Sequence, residues 1–115
     1  MAKSFDVHFY EDARGRSQLK EWLRTLKRSN PRAHAKVMRM IEKLEEHGPN
    51  LRMPHAKHVE GPVWELRKDE LRIYYWQDDE QVFIAAAGEA KQRDEADPQL
   101  VSYTLDAYRE WIEEL

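Results

Sequence analysis

The chain has 115 residues, of which 41% are hydrophobic and 36% charged, with a mean hydropathy of -0.92 and a net charge of -3 at pH 7. This composition predicts a single domain, residues 1–115, with a packed interior and a strongly solvated surface. The absence of cysteine excludes disulfides and zinc–thiolate sites. The sequence shows neither an apolar run of about 18 residues nor an apolar N-terminal stretch, so we expect a cytoplasmic protein that does not contact membranes.

Charge is distributed unevenly along the chain. Residues 1–60 carry 13 Lys and Arg against 8 Asp and Glu, whereas residues 61–115 carry 6 against 14. The basic block between residues 14 and 39 predicts either a polyanion-binding surface or the solvated faces of helices. Its members that we assign to RNA binding are Lys20, Arg24, Lys27, Arg28, Arg32, Lys36 and Arg39.

The first half of the chain predicts one strand and two helices. Apolar and polar residues alternate over Ser4–Tyr10, which is typical of a half-buried strand. Ser17 is a suitable N-cap for a helix with an apolar stripe at Leu19, Trp22, Leu23 and Leu26. Asn30 can cap a second helix, which ends at Gly48. The short connection predicts an antiparallel two-helix hairpin.

The second half predicts a three-stranded antiparallel meander and a final helix. We expect an irregular loop over Asn50–Glu60 and a C-terminal helix that begins after Asp97 and Pro98. The three strands are Val63–Arg67, Leu71–Gln77 and Val82–Gly88. This order of elements predicts an α+β fold.

The first hairpin of the meander places two arginines together. If Arg67 faces Arg72, the hairpin has an apolar face of Trp64, Leu66, Ile73 and Tyr75. The opposite face then carries Glu65, Arg67, Arg72, Tyr74 and Trp76. Like charges that lie side by side weaken a sheet, so the pairing of Arg67 with Arg72 calls for a compensating interaction. Either Glu65 neutralises an arginine, or the guanidiniums clamp a phosphate while Tyr74 and Trp76 stack on RNA bases.

Two histidines flank Lys57 on the predicted loop that leads into this hairpin. His55 and His58 could reach the hairpin, and their spacing also permits a metal ion. No compelling third ligand lies nearby in the sequence, so we expect neither a metal nor a cofactor.

Several stretches carry a family resemblance. "FYEDARGRSQLKEWLRTL", "KVMRMIEKLEEHGPNLRMPHAKHVEGPVWELR" and "LRIYYW" resemble the phage-derived RelE/HigB-type toxin family over Phe5–Gly88. The most specific part of the match comprises Pro54, Lys57, Gly61, Trp64, Glu65, Leu66 and Arg67. The resemblance implies a RelE-like fold and a toxin of a type II toxin–antitoxin system. It implies cleavage of mRNA on the ribosome by metal-independent attack of the RNA 2′-OH, and inhibition by a cognate antitoxin, often of helix-turn-helix type.

The resemblance also assigns roles to residues. Arg67 matches the family's phosphate-stabilising arginine, Lys57 its lysine before the strand, and Arg72 a basic position opening the next strand. Lys91 matches a lysine after the last strand. His58 or His55 as the general acid or base is a hypothesis.

The sequence departs from the family pattern after the last strand. Where the family commonly reads close to H-G-F-x-K-K, Ala87 replaces the histidine, Glu89 the aromatic residue and Gln92 the second lysine. Acidic residues follow at Asp94, Glu95 and Asp97, and they oppose RNA binding. Two alternatives therefore stay open. One is a catalytically inactive relative that binds an antitoxin, RNA or another protein, and the other is an interaction module whose acidic half contacts a basic partner.

Overall fold

The computed structural model of the protein describes residues 3–91 and 95–114. Its strands are β1 (Asp6–Phe9), β2 (Ala56–Glu60), β3 (Val63–Lys68), β4 (Leu71–Gln77) and β5 (Val82–Ala90). Its helices are α1 (Gln18–Ser29), α2 (Pro31–His47) and α3 (Pro98–Glu113), with a 3-10 turn at Gly48–Asn50. The predicted α+β order of strand, helix pair, antiparallel meander and C-terminal helix is confirmed. Within the described residues, no helix is long and apolar enough to cross a membrane.

Local capping determines where the helices begin and end. The side chains of Ser17, Asn30 and Asp97 each accept a hydrogen bond from a backbone N–H in the first turn of α1, α2 and α3. The backbone N–H of Asn30 also donates to the carbonyl of Leu26, so this residue ends α1 and starts α2. Gly48 ends α2 with a φ of 52°, which favours glycine, and its backbone N–H donates to the carbonyl of Leu44.

The five strands form one sheet in the order β1-β5-β4-β3-β2. β1 is parallel to β5, and the other pairs are antiparallel. We expected an irregular loop over Asn50–Glu60. The second part of this prediction is wrong, because β2 pairs with β3 there. The meander therefore has four strands instead of three. β2 is an edge strand with mostly exposed side chains, so the sequence shows no apolar alternation that would reveal it.

Helices cover both faces of the sheet. The helices α1 and α2 pack on the face that carries Leu66, Ile73 and Tyr75. The helix α3 packs on the opposite face, over Tyr74 and Trp76. The predicted register is confirmed, with Arg67 opposite Arg72, Leu66 opposite Ile73 and Trp64 opposite Tyr75.

Two aromatic assignments on this hairpin need correction. Tyr74 and Trp76, which we expected to be open for base stacking, are 0% exposed beneath α3. Trp64, assigned to the apolar face, is 38% exposed and packs against the ring of His58. Strand alternation identifies which face a side chain occupies, but it does not identify what covers that face.

Polar contacts fasten α3 to the sheet at both ends. The Tyr74 hydroxyl donates to the Glu89 carboxylate at 2.6 Å and accepts the backbone N–H of Asp97 at 3.2 Å. At the other end, Trp111 Nε1 donates to the Asp78 carboxylate at 2.8 Å. The Tyr10 hydroxyl donates to the Glu110 carboxylate. The N-terminus of α3 is thereby held beside the end of β5.

We predict that Tyr74→Phe lowers the free energy of unfolding by about 1–2 kcal/mol, because it leaves Glu89 and the Asp97 N–H without this partner. Urea unfolding measures the change. Tyr75→Phe is the matched control, since Tyr75 is also buried but its hydroxyl bonds to no described residue. The control should change stability by less than about 0.5 kcal/mol. Equal effects of the two substitutions would contradict the role given to the Tyr74 hydroxyl.

Candidate functional site

A buried carboxylate lies between the two arginines of the hairpin. Glu65 Oε1 is 3.3 Å from Arg67 Nε and 4.0 Å from Arg72 Nε. The Glu65 side chain is only 1% exposed. The like charges of the cross-strand pair are therefore compensated from within the protein, as one of the two sequence interpretations predicted.

The ionisation of Glu65 is a balance of opposed effects. Burial is the largest cause and raises the pKa of the Glu65 carboxyl, since a charged group is poorly solvated there. Four cations oppose this shift: Arg67, Arg72, Lys91 and Lys57, in decreasing order of effect. The second oxygen, Oε2, is buried and accepts no hydrogen bond from the described residues. Glu65 is thus surrounded by positive charge but incompletely hydrogen-bonded.

Arg72 also fixes the turn between β3 and β4. Its Nη1 donates to the carbonyls of Asp69 at 2.7 Å and Leu71 at 2.9 Å. Asp69 has a φ of 53°, which is uncommon outside glycine and is stabilised by such local bonds. Because the Arg72 side chain is only 5% exposed, its position is set by the fold.

An open cleft of about 330 Å³ lies beside the pair. It is lined by Pro54, His55, Arg67, Lys68, Asp69 and Arg72. The carbonyl of His55 accepts the Arg67 N–H at 2.8 Å, which holds the loop against β3. Lys68 was not among the predicted site residues. Its position directly after Arg67 at the end of the strand was a signal that could have placed it at the cleft.

The structure separates the two candidate histidines. His55 lines the cleft. A ring nitrogen of His58 lies 2.8 Å from the carbonyl oxygen of Gly61, and its ring packs against Trp64 at a centroid distance of 5.4 Å. The candidate His58 is therefore engaged within the β2–β3 hairpin, and His55 is the histidine positioned at the cleft.

Two lysines complete the positive surroundings of Glu65. Lys57 is exposed on β2 and faces Glu65 in the register of β2 and β3. Lys91 Nζ lies 3.9 Å from the Glu89 carboxylate, and the Lys91 backbone N–H donates to the carbonyl of Glu70 at 2.7 Å. Arg67 and Arg72 thus lie within 4.0 Å of Glu65, Lys57 lies opposite it in the sheet, and Lys91 acts on it electrostatically while pairing with Glu89.

The residues that depart from the family pattern have structural roles. Ala87 is 0% exposed and packs with Tyr74 and α3. Glu89 binds the Tyr74 hydroxyl. These positions therefore contribute neither an imidazole nor an aromatic ring to the cleft. The candidate positions Gln92 and Asp94 lie outside the described residues.

The basic helical surface divides into paired and unpaired residues. Lys20, Lys36 and Arg39 each form an ion pair at 3.1 to 3.4 Å, with Glu11, Asp69 and Glu46 respectively. Four exposed residues form no ion pair with any part of the chain that the structure describes: Arg24, Lys27, Arg28 and Arg32. The uncompensated charge of the predicted RNA surface therefore lies around the connection between α1 and α2. No cluster of three metal-ligating side chains occurs among residues 3–91 and 95–114.

We predict that Glu65→Gln changes the pH dependence of stability. The pKa of Glu65 is raised in the folded state. Its stabilising contribution is therefore fully present below the unfolded-state pKa of about 4.3 and is lost as the pH rises through the folded-state pKa. The free energy of unfolding of the wild type minus that of the variant should fall as the pH rises from about 4 toward neutrality.

Urea unfolding at a series of pH values measures this difference. Glu60→Gln changes an exposed carboxylate on the neighbouring strand and is the control. A wild-type-minus-variant difference for Glu65 that is constant with pH would contradict the burial argument.

Comparison with known proteins shows which family the chain belongs to. No curated protein matches the sequence. A chain in the crystal structure of the toxin–antitoxin complex RelBE2 from Mycobacterium tuberculosis has a TM-score of 0.57 and 17% identity, over 79% of this chain and 95% of that chain. This similarity confirms the predicted RelE-like fold. Residues 21–108 match the family described as "Phage derived protein Gp49-like (DUF891)". Because this match spans most of the chain, the protein belongs to the phage-derived Gp49-like family.

Proposed function

We propose that this protein is a RelE/HigB-type toxin of a type II toxin–antitoxin system that cleaves mRNA on the ribosome. The observation that carries the proposal is the cleft in which Arg67 and Arg72 are held around Glu65. Arginine forks suit phosphate oxygens, and a fixed pair of them can stabilise charge that develops on a phosphate. The RelE-like fold and the Gp49-like family match support it.

The proposed reaction needs no metal ion. The 2′-OH of the RNA loses its proton and attacks the adjacent phosphorus, and the bond to the 5′ oxygen breaks. The products are a 2′,3′-cyclic phosphate and a 5′-OH, which takes up a proton. Arg67 would stabilise the phosphorane, with Lys57 and Lys91 adding positive potential. His55 is the proposed proton-transfer group, because it lines the cleft and an imidazole ring can both accept and donate a proton.

We further propose a cognate antitoxin, of helix-turn-helix type, as the protein partner. The similar chain of known structure was solved in a toxin–antitoxin complex. Ribosomes and mRNA are the proposed nucleic-acid partners. The unpaired cations Arg24, Lys27, Arg28 and Arg32 would contact ribosomal RNA, since exposed and uncompensated cations contribute most to polyanion binding. A cytoplasmic location follows from this proposal.

A second candidate function is that of an inactive relative that binds an antitoxin or RNA. The observation that favours it is the end of β5, where Ala87 is buried and Glu89 is bound to Tyr74. In this alternative, the chain lacks a group that completes catalysis in its relatives. Soluble wild-type protein that binds ribosomes and leaves translated mRNA intact would select it.

We predict that Arg67→Lys abolishes growth arrest on induction and slows mRNA cleavage by about 10² or more. Lysine keeps a positive charge beside Glu65, so the buried carboxylate retains a partner, but it lacks the planar fork that binds a phosphate in two places. Growth curves and primer extension on an abundant mRNA measure the two effects.

Arg109→Lys is the control for this substitution, because Arg109 lies on the exposed side of α3 with its side chain 66% exposed. The control should arrest growth and produce cuts within translated codons as the wild type does. Wild-type cleavage in Arg67→Lys at equal soluble expression would refute the role of Arg67.

A further inference from the structure

The arginine cleft continues past one wall into a second, smaller depression. His55, Arg67 and Lys68 line both cavities. The second cavity has a volume of about 20 Å³, room for little more than one water molecule, and an apolar floor. Lys43 of α2 lines its far side. An RNA strand leaving the cleft in this direction would therefore lie over the wall and reach α2.

The charges along α2 distinguish the two ends of that helix. Arg32, Lys36, Arg39 and Lys43 recur at three- and four-residue spacing, so they share one side of α2. Lys36 and Arg39, in the middle, are neutralised by Asp69 and by Glu46. Uncompensated charge is left at the two ends of the row, near the α1–α2 connection and beside the cleft.

Lys43 and Lys68 are the basic residues at the cleft end, where Lys68 also acts weakly on the Asp69 carboxylate. Neither forms an ion pair with a residue in 3–91 or 95–114. Lys68 is exposed and Lys43 is partly exposed. The Arg67 and Arg72 guanidiniums, by contrast, share Glu65. The two lysines can thus bind an anion without first breaking an internal ion pair.

We propose that Lys43 and Lys68 form a second phosphate site, which binds the RNA phosphate next to the one held in the arginine cleft. This inference rests on the proposed function and specifies the path of the RNA: across the wall formed by His55 and Lys68 toward α2. Neither lysine is among the basic residues that the sequence pattern assigns to RNA binding. The alternative path runs over the α1–α2 connection, where Lys27 and Arg28 are exposed.

The test is the salt dependence of RNA binding. The probe is a short single-stranded RNA, 2′-O-methylated throughout so that it cannot be cleaved by 2′-OH attack. A plot of the logarithm of the association constant against the logarithm of salt concentration has a negative slope. Removing one phosphate contact from a complex with single-stranded RNA lowers the magnitude of this slope by about 0.7. Lys43→Gln with Lys68→Gln removes the one phosphate contact of the proposed site, so it should lower the magnitude of the slope by about 0.7 and the affinity at low salt by about tenfold or more.

The matched control is Arg14→Gln with Arg109→Gln, which removes the same charge from two exposed positions outside the proposed RNA path. It should leave the slope close to that of the wild type, and thermal unfolding should show both variants folded. An unchanged slope in the Lys43/Lys68 variant, an equal reduction in the control, or no binding by the wild type at low salt would overturn the inference. Cleavage of unmodified mRNA on ribosomes is measured separately, so wild-type protein that binds the probe but does not cut refutes the proposed function alone.

Discussion

The interaction between Glu65 and the two arginines is the constraint on which the rest of the site depends. Without the Glu65 carboxylate, the pairing of β3 with β4 would place Arg67 and Arg72 side by side with their like charges uncompensated by this group. That repulsion would lower the stability of the sheet. With the carboxylate, three charged groups occupy a largely buried space in which their desolvation opposes their attraction. The same arrangement holds the Nε atoms of both arginines within 4.0 Å of Glu65 Oε1, while Arg67, Lys68 and Arg72 outnumber Asp69 in the lining of the cleft. The structural compensation and the candidate phosphate site are thus two consequences of one cluster.

The helix α3 covers the strand position beside this cluster, because Glu65 pairs with Tyr74 across β3 and β4. It covers Tyr74 and Trp76, and its N-terminus is held by the Tyr74 hydroxyl, which also binds Glu89. Ala87 and Glu89, which stand where the family pattern has a histidine and an aromatic residue, therefore help to hold α3 on the sheet. In the proposed reaction, proton transfer would therefore come from another group, and His55 is the histidine that lines the cleft. This is why the proposed chemistry concentrates on the β2–β3 side of the cleft and not at the end of β5.

The features that the sequence predicted well are local ones. The helix caps could be predicted because capping depends on neighbouring backbone groups. They are Ser17, Asn30, Gly48 and Asp97. The Arg67–Arg72 register follows from alternation along two adjacent strands. The features that were missed depend on distant partners: the cover over Tyr74 and Trp76, the edge strand β2, and the ion pairs that neutralise Lys36 and Arg39. A charge pattern in a sequence shows which residues are basic, but only packing shows which of them remain unpaired.

A double-mutant cycle on Glu65 and Arg72 tests the central claim most directly, by urea unfolding of the wild type, Glu65→Gln, Arg72→Met and the double variant. Each single change removes one member of the Glu65–Arg72 ion pair and leaves the other buried, whereas the double change removes both members. We predict that the double variant loses less stability than the two single variants together, with a coupling of about 1–3 kcal/mol. Effects that add within about 0.5 kcal/mol would show that the two residues do not act as a unit, and the central claim would be wrong.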